Sequence, residues 1–439
     1  MYTNFEHRKR VLIITYYWPP SGGVSVHRCL KFAKYLRGFG WEPVVYVPRN
    51  AHYPYLDRST LKDIPKGLEV IRGRIFEPFK FFKLITGRKL KDPMINPIHA
   101  RDKKPNLLES LSIWARGNFF IPDARSLWIR PSVRRLSTYL HKNPIDAIFS
   151  DGPPHTNTVI ACRIAKKFGI PWLADFQDPW TQVDYYHLFP LGKRADRKHR
   201  RLEQETFQTA SKITIASPTW KKDLEKIGAR NVDVLYYGYD EDDFKDMDST
   251  PFSHFTITHA GILGYDRNPE KVFEALADLK KEIPAMQDKL KITLAGVVDM
   301  SVKKTIAEYG LEESVEYPGT VSKPEAIEMV SRSHILLLPL NRAANIKGRM
   351  PGKFYEYLRA GRSILALGPP DSDIGEILTE TNQGKCLNYN DFNGIKEYLK
   401  TIFSQYLKGD IQASVVNVES FSVEEQTSKL AKYLDELVN

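Results

Sequence analysis

The sequence predicts an α/β protein made of two doubly wound parallel sheets, each with its own core. Three observations support this prediction. The chain has 439 residues, which at roughly 100–200 residues per domain favours two domains. Short apolar runs alternate with helical stretches, as in parallel sheets covered by helices. The charge of the chain also changes sign from one half to the other.

Each predicted strand is a short run of apolar and β-branched residues between turn-forming residues. In the first half of the chain the predicted strands are 11–18, 44–48, 68–75, 146–150, 172–175, 213–216 and 232–236. In the second half they are 255–260, 291–295, 315–317, 334–340, 364–367 and 385–387. Helical patterns such as 24–39 and 269–281 lie between the strands, and the second opens at Pro269, a residue favoured in a first helical turn.

The first apolar run has a second interpretation, because basic residues precede it as they do in a secretion signal. Pro19 and Pro20 end the run after the length of one strand, and no cleavage site of small residues follows. We therefore interpret residues 11–18 as a buried strand.

The net charge of +11 is unevenly distributed. Residues 1–240 hold 41 of the 64 Lys and Arg residues but only 22 of the 53 Asp and Glu residues, so the other half is acidic. A basic half joined to an acidic half indicates two domains, one of which meets an anionic surface. Because the excess of basic residues is confined to one half, we do not expect a nucleic acid as partner.

The boundary is predicted near residues 238–248, where the charge changes. This gives an N-terminal domain of residues 1–243 and a C-terminal domain of residues 244–421. The acidic run Asp240–Asp243 could be taken for a metal site, but consecutive carboxylates point in different directions, so we interpret it as a solvated linker.

The segment 72–91 interrupts the alternation of strands and helices. It contains seven basic residues interleaved with aromatic and aliphatic residues, and a single acid. This pattern fits an interfacial helix at anionic lipid, and it fits equally a helical insertion with its rings packed inward. In the first interpretation Lys80, Phe81, Phe82 and Lys83 meet the membrane surface.

Three cysteines, Cys29, Cys162 and Cys386, have no CxxC spacing, so neither a disulfide framework nor a zinc site is encoded. No apolar run approaches the roughly 18–20 residues of a membrane span. We expect a cytoplasmic protein that attaches peripherally to the inner face of the plasma membrane.

Loops at the carboxyl ends of parallel strands are where ligands bind in such sheets. In the first half these loops contain Gly22 and Gly23 before a helix, His155 after the fourth strand, and Asp178 after the fifth. The glycines let backbone N–H groups approach a phosphate. His155 could contact a ligand or cap the next helix, and Asp178 could contact an acceptor.

In the second half, Gly264 and Arg267 lie in a loop that opens a helix, and Arg267 could pair with phosphate oxygens. Pro351 predicts a first helical turn that places Lys353 at a positive helix terminus, with Glu356 one turn further on. Lys353 could then bind an anion, and Glu356 could accept hydrogen bonds from a diol. The alternative is an intrahelical Lys353–Glu356 ion pair.

Together these loops resemble glycosyltransferase family 4. The most specific piece is the segment 351–365, PGKFYEYLRAGRSIL, and the Pro-rich Gly-Gly loop, residues 237–240 and residues 421–426 are also similar to the family. The resemblance implies the GT-B architecture, in which two Rossmann-like domains face a central cleft, and transfer of a sugar from a nucleotide-diphosphate donor with retention of configuration. It also implies that the closing helix, residues 422–439, returns to the first domain.

By this resemblance the donor-binding residues are expected to be Gly22, Gly23, Gly264, Arg267, Gly319, Thr320, Lys353, Phe354 and Glu356. Gly319 and Thr320 match the loop beside the base, and Glu356 matches a glutamate that binds the ribose hydroxyls. The residues expected to act in catalysis are His155, Asp178, Arg267 and Lys353.

The sequence departs from the family at two positions. Gly348 stands where many members have a glutamate that touches the transferred sugar, so the identity of the sugar does not carry over. Gln177 stands where many members have a histidine, and it cannot transfer a proton. Relatives with a DFxDPW loop share the second departure, so we interpret it as a subfamily trait.

The function expected from the sequence is therefore retaining transfer of a sugar to a polysaccharide, a lipid-linked acceptor or another cell-surface glycan. No DxD motif with a plausible context occurs, so we expect no metal and no cofactor beyond the donor. The alternatives are a nucleotide-sugar epimerase, which needs more carboxylates around the sugar than these loops offer, and a non-catalytic protein that binds a polyanion or a membrane.

Overall fold

The structure is a computed structural model that describes residues 8–53, 55–77, 107–245, 247–410 and 417–439. Lys80, Phe81, Phe82 and Lys83, the predicted membrane-surface residues, lie outside the described residues. The chain divides into two compact units. Unit 1 comprises Met1–Tyr236 and Gln426–Asn439, and unit 2 comprises Tyr237–Glu425.

The described part of unit 1 contains a parallel sheet of seven strands in the order β3-β2-β1-β4-β5-β6-β7. The strands are β1 Lys9–Ile14, β2 Trp41–Pro48, β3 Glu69–Gly73, β4 Ala147–Gly152, β5 Trp172–Phe176, β6 Lys212–Ile215 and β7 Val232–Val234. Each overlaps a predicted strand. β1 ends four residues before the predicted end at residue 18, where the chain turns toward two prolines that cannot donate to a ladder.

Helices cover both faces of this sheet. They are α1 Val24–Tyr35, α2 Leu107–Phe119, α3 Ile129–Leu140, α4 Thr156–Phe168, α5 Lys193–Thr209 and α6 Pro218–Lys226. One buried cluster joins β1 to residues of α3, α4 and α5, and a second cluster joins the other side of β1 to α1. The predicted helix 24–39 is α1 followed by a 3₁₀ turn at Leu36–Phe39.

The described part of unit 2 contains a parallel sheet of six strands in the order β10-β9-β8-β11-β12-β13. The strands are β8 Phe255–Ala260, β9 Leu290–Ala295, β10 Val315–Gly319, β11 Ile335–Pro339, β12 Ser363–Leu367 and β13 Gly384–Leu387. The strand order reverses between β8 and β11. Loops after these two neighbouring strands are therefore where a ligand is expected to bind.

The helices of unit 2 are α7 Glu270–Glu282, α8 Ala285–Lys289, α9 Met300–Glu308, α10 Lys323–Arg332, α11 Lys353–Ala360, α12 Asp373–Thr381 and α13 Phe392–Lys408. Two predicted helix starts differ from the structure. Pro269 is the N-cap of α7 rather than its first helical residue, and α11 begins at Lys353, two residues after Pro351. In both cases the proline precedes the helix that it was expected to open.

The last helix, α14 Val423–Val438, lies mostly in unit 1. Its Leu430 and Leu434 are fully buried in the cluster that contains Val11 and Ile13 of β1. No helix in the described ranges is both long and apolar enough to cross a membrane.

The acidic run is only partly solvated, and it lies inside unit 2 rather than between the units: Glu241 and Asp242 are exposed, but Asp240 is buried. Asp240 is 4% exposed, and its side chain accepts a hydrogen bond from the N–H of Asp242 at the start of a short 3₁₀ turn. Glu241 accepts a hydrogen bond from Arg359, and Asp243 forms an ion pair with Lys323. The run is therefore bonded into unit 2, since its neighbours supply cations that the sequence alone does not place.

Candidate functional site

The centre of the candidate site in unit 2 is the ammonium of Lys353, the first residue of α11. Its Nζ lies 3.5 Å from Nε2 of His259, near the end of β8. The other ring nitrogen of His259, Nδ1, lies 2.9 Å from the carbonyl oxygen of Leu337. Because a carbonyl only accepts, Nδ1 carries the proton, and Nε2 is left to accept from Lys353.

Gly261 makes room for this ammonium. It follows β8 with a φ of +129°, and a Cβ added there would lie 2.2 Å from Nζ of Lys353. A second glycine supports the same turn, because a Cβ on Gly296 would lie 2.3 Å from the carbonyl oxygen of Gly261. Any larger residue at position 261 would therefore displace the lysine and strain the backbone.

The ammonium of Lys353 has no carboxylate within ion-pair distance among the residues that the structure describes. Burial and the nearby charge of Arg267 lower its pKa to about 8. Burial and the charge of Lys353 lower the pKa of His259 to about 3, so that ring is neutral. A half-buried cation that lacks a carboxylate partner, at a helix N-terminus, is suited to an anionic ligand.

Arg267 is next to this centre but is already engaged. Its guanidinium donates to the carboxylate of the adjacent Asp266 at 3.1 and 3.2 Å. The pair is about one third exposed, so an incoming phosphate could compete for the guanidinium. Gly264 caps the 3₁₀ turn that carries both residues, in an extended conformation.

Glu356 lies one turn along α11 and pairs with Lys323, not with Lys353. The Lys323 Nζ is 3.4 Å from Glu356 and 2.6 Å from Asp243. Burial disfavours the charge on Lys323, but the two carboxylates outweigh it and raise its pKa. The alternative interpretation, an intrahelical Lys353–Glu356 ion pair, is therefore wrong, because α10 supplies a closer cation.

The start of α10 explains why Lys323 lies there. Ser322 and Glu325 form a capping box, in which the Ser322 side chain accepts from the Glu325 N–H and Glu325 accepts from the Ser322 N–H. Lys323 is consequently the first helical residue. Gly319, at a φ of +75°, ends β10. The exposed Thr320 comes next, two residues before Ser322, the N-cap of α10.

Phe354 is placed differently from the prediction. Its side chain is 0% exposed and packs in the interior of unit 2. Successive helical residues are rotated by about 100°, so a residue next to Lys353 faces the core when Lys353 faces the site. Only the backbone of Phe354 is available to a ligand.

The glycine loop of unit 1 contains two glycines with different surroundings. Gly22 donates to the carbonyl of Tyr55, and a Cβ on Gly22 would lie 2.1 Å from the Tyr55 ring. Gly23 is the N-cap of α1 with a φ of +92°, and a Cβ there would meet no heavy atom within 4 Å. Gly22 is therefore required for packing, whereas Gly23 leaves the helix N-terminus open.

His155 lies in a buried aromatic stack. Its ring is 4.3 Å from that of Trp180 at an angle of 3°, and the residue is 8% exposed. Burial and the nearby His199 lower the pKa of His155 to about 3. It precedes α4 at the N-cap position but its side chain makes no capping hydrogen bond. The capping alternative is therefore wrong, and the ring is neutral.

The loop that carries Asp178 is held by neighbours on both sides. The side-chain amide of Gln177 donates to Asp151, 3.0 Å away, and Thr181 donates from its N–H and hydroxyl to Glu203. Asp178 itself is half-buried. Gln177 thus has a structural role in this loop, which its position in the sequence did not reveal.

Asp151 and Asp175 are neighbouring buried carboxyls on β4 and β5. Arg28 donates to both oxygens of Asp175, at 2.6 and 2.8 Å, and forms a bidentate ion pair with it. Burial and the charge of Asp175 raise the pKa of Asp151 to about 7. Within the described residues, no group of three or more His, Cys, Asp or Glu side chains could hold a metal ion.

Sequence reasoning missed two residues of the unit 2 site, His259 and Lys323. A capping-box signal, serine followed three residues later by glutamate, precedes the helix of Lys323 and could have located it. His259 lies inside a predicted strand, where a histidine carries no distinctive signal.

Comparison with protein families gives two matches. The model of the Glycosyl transferase 4-like domain matches residues 96–239, and the model of Glycosyl transferases group 1 matches residues 245–408. Together they cover most of the chain. No curated protein sequence matches it.

Solved structures share the fold at low sequence identity. Sucrose-phosphate synthase from Thermosynechococcus elongatus has a TM-score of 0.63 at 12% identity, over 98% of this chain and 99% of that one. WaaG, a glycosyltransferase of lipopolysaccharide biosynthesis, has a TM-score of 0.55 at 13% identity, over 98% and 100%. A putative UDP-N-acetylglucosamine 2-epimerase from Listeria monocytogenes has a TM-score of 0.55 at 11% identity, over 98% and 96%.

The epimerase likeness means that the fold alone does not separate the two activities. The family matches favour a glycosyltransferase over an epimerase, because both are to glycosyltransferase domains. The chain belongs to the GT-B glycosyltransferases, in the group that resembles glycosyltransferase family 4.

Proposed function

We propose that this glycosyltransferase moves a sugar from a nucleoside-diphosphate sugar to a glycan or lipid-linked acceptor of the cell surface, with retention of configuration. The observation that supports it best is the Lys353 ammonium, which is half-buried at the start of α11 and lacks a carboxylate partner among the described residues. A diphosphate would supply the missing negative charge.

Lys353 binds the diphosphate in this proposal and stabilises it as it leaves the sugar. When the nucleoside diphosphate leaves the sugar, negative charge builds up on the phosphate oxygens. Fixed cations stabilise that charge most in a site with little water. Arg267 is the second cation, provided that it exchanges Asp266 for a phosphate oxygen. The α11 N-terminus adds its partial positive charge.

Glu356 accepts hydrogen bonds from the ribose hydroxyls in the same proposal. Its carboxylate is 30% exposed and forms an ion pair with Lys323 through one oxygen, so lone pairs of the carboxylate remain available to a diol. Thr320 and Gly319 lie just before α10 and would border the base. The contribution of Gly22 and Gly23 in unit 1 stays a prediction.

His155 is not suited to act as a proton donor, since its pKa of about 3 leaves it neutral. We propose instead that Asp178 orients the acceptor hydroxyl for attack on the anomeric carbon. As the bond from that carbon to the diphosphate breaks, the departing phosphate oxygen takes the proton of the acceptor hydroxyl, so no histidine is needed. Lys353 and Arg267 supply the positive charge, so we expect transfer to continue in EDTA.

The test is an assay of nucleoside-diphosphate release from UDP- and GDP-sugars, with cell-surface glycan extracts as acceptor. The proposal predicts acceptor-dependent release by the wild-type protein and about tenfold less by Glu356→Gln at limiting donor. Conversion of the donor sugar without any acceptor would favour the epimerase. No consumption of any donor would contradict the proposal.

We also propose that the protein attaches to the cytoplasmic face of an anionic membrane. The support is the basic composition of residues 1–240 and the mixture of cations and rings in residues 72–91. Flotation with anionic vesicles is the test. If the protein floats with neither anionic nor neutral vesicles, the membrane proposal is contradicted.

A further inference from the structure

Unit 1 has a strongly basic groove. None of the residues proposed to bind the donor or to orient the acceptor hydroxyl lines this groove. The groove has a volume of about 860 Å³ and runs along α3. Its cationic lining residues on and after this helix are Arg130, Arg134, Arg135 and Lys142. All three arginines are exposed and line the same groove. Arg130 and Arg134 are four residues apart and therefore neighbours on the helix surface.

Two smaller concavities continue the groove on either side of α3. One, of about 440 Å³, lies toward α4 and adds Arg163 and Lys167. The other, of about 540 Å³, lies toward β2 and β3 and adds Arg49 and Arg72. We call the three concavities together the arginine groove.

The arginine groove is not neutralised by the part of the chain that the structure describes. Its only acidic lining residue is Glu69, which is bound to Arg10 at 3.0 Å. Lys167 donates to the hydroxyl of Ser137, not to a carboxylate. None of the other seven cations forms an ion pair with a described residue, and all are exposed. Eight like charges held together repel one another, so their concentration favours an anionic ligand.

We propose that the arginine groove binds an anionic polysaccharide, namely the part of the acceptor that lies away from the reacting sugar. This rests on the proposed function and deepens it by assigning negative charge to the acceptor. Guanidinium groups match carboxylate, phosphate or sulfate oxygens as planar forks. Thr138 and Asn143 each donate to a carbonyl of α3, and their side-chain oxygens can accept hydrogen bonds from sugar hydroxyls.

The lining of the groove favours an anionic polysaccharide over two other polyanions, a nucleic acid and an anionic membrane. Binding of single-stranded nucleic acid usually uses exposed aromatic rings for stacking. Of the two rings in the groove, Tyr139 is half-buried and accepts a hydrogen bond from Arg10, and His141 packs edge-on against Phe168. Membrane binding usually requires apolar side chains that insert, but Ile71 is buried and Val133 is half-buried. A concave groove also suits a chain better than a flat surface.

The test uses the full-length protein, dextran sulfate as the anionic probe and neutral dextran of the same length as its counterpart. The groove variant is Arg130→Glu/Arg134→Glu/Arg135→Glu. The control is Lys222→Glu/Lys281→Glu/Lys304→Glu, which changes the net charge equally at exposed positions elsewhere. Thermal unfolding checks that both variants fold, and glutamine in place of glutamate gives a milder groove variant.

We expect dextran sulfate, and not dextran, to bind in physiological salt and to protect α3 from hydrogen exchange. The groove variant should bind about tenfold more weakly and the control within about twofold of wild type. Equal weakening in both variants would overturn the proposal. Tighter binding of poly(U) or phosphatidylglycerol vesicles through the same three arginines would also overturn it.

Measuring nucleoside-diphosphate binding distinguishes a failure of the proposed function from a failure of the groove assignment. The groove variant should bind uridine or guanosine diphosphate as the wild type does, because the groove contains none of the donor residues. If the wild type binds neither nucleotide, the proposed function fails. If it binds one, and the groove variant still retains dextran sulfate at wild-type strength, only the groove assignment fails.

Discussion

The Nζ of Lys353 lies 3.5 Å from Nε2 of His259, a neutral ring that positions the ammonium without neutralising it. The ring is itself fixed by its contact with the Leu337 carbonyl. Lys353 is thereby held in one place with its positive charge uncompensated. This relationship is the basis of the donor site that we propose.

The affinity for nucleoside diphosphates should depend on pH through Lys353. The pKa of this lysine is about 8 in the free protein, and a bound diphosphate would raise it, so binding takes up protons. We expect uptake of about half a proton at pH 8 and a falling affinity above that pH. Calorimetry in two buffers of different ionisation enthalpy measures the uptake, and the same uptake in Lys353→Met would contradict this assignment.

Gly261→Ala should abolish nucleotide binding for a steric reason. A Cβ would lie 2.2 Å from Nζ of Lys353, on a backbone with a φ of +129°. Gly310→Ala is the matched control, because Gly310 has a φ of +64° but no heavy atom within 4 Å of its Cβ. Both variants should lose roughly 1–2 kcal/mol of stability, but only the first should lose binding. Equal nucleotide affinity of the two variants would refute the role of Gly261.

Lys323→Met tests whether Lys323 positions Glu356. The lysine lies 3.4 Å from Glu356 and bridges it to Asp243. Without it the carboxylate loses its orientation, so the KM for the nucleotide sugar should rise about fivefold with kcat unchanged. Lys304→Met removes a comparable lysine–glutamate pair on α9 and should change neither constant. A fall in kcat alone would show that Lys323 acts otherwise.

Stability should fall with rising pH because of Asp151. Its pKa is about 7 in the folded protein and about 3.9 in an unfolded chain. Between these values the folded state holds one more proton than the unfolded chain. The contribution of Asp151 to the free energy of unfolding therefore falls by at most about 1.4 kcal/mol per pH unit, and it levels off above about pH 8. Urea unfolding of wild type and Asp151→Asn at pH 5 and 7.5 tests this. An identical pH dependence in both proteins would contradict it.

The strands could be predicted from the sequence because parallel strands buried on both faces are continuous apolar runs. Every one of the thirteen predicted runs overlaps a strand, although β1, β3, β7 and β11 are shorter than predicted. Helix starts beside Pro269 and Pro351 were less accurate, since a proline is compatible with the position before a helix as well as with its first turn.

The contacts of the site could not be predicted in the same way. Lys353 and His259 are 94 residues apart and meet only because β8 lies next to β11. Helical spacing allowed a Lys353–Glu356 pair as the alternative interpretation, but the carboxylate pairs with Lys323 from another helix. The rotation of about 100° per helical residue could have excluded the Phe354 side chain from the donor site, because the preceding residue, Lys353, was already predicted to face the ligand.

The most direct test of the donor site is a calorimetric titration of the full-length protein and Lys353→Met with uridine and guanosine diphosphates at pH 7. We predict that the wild type binds at least one of them and that the variant binds it about ten- to a hundredfold more weakly, the worth of a hydrogen bond to a charged group. Methionine keeps the apolar length of the side chain, so the loss would reflect the charge. Unchanged affinity in the variant, or no binding of either nucleotide by the wild type, would contradict the central claim.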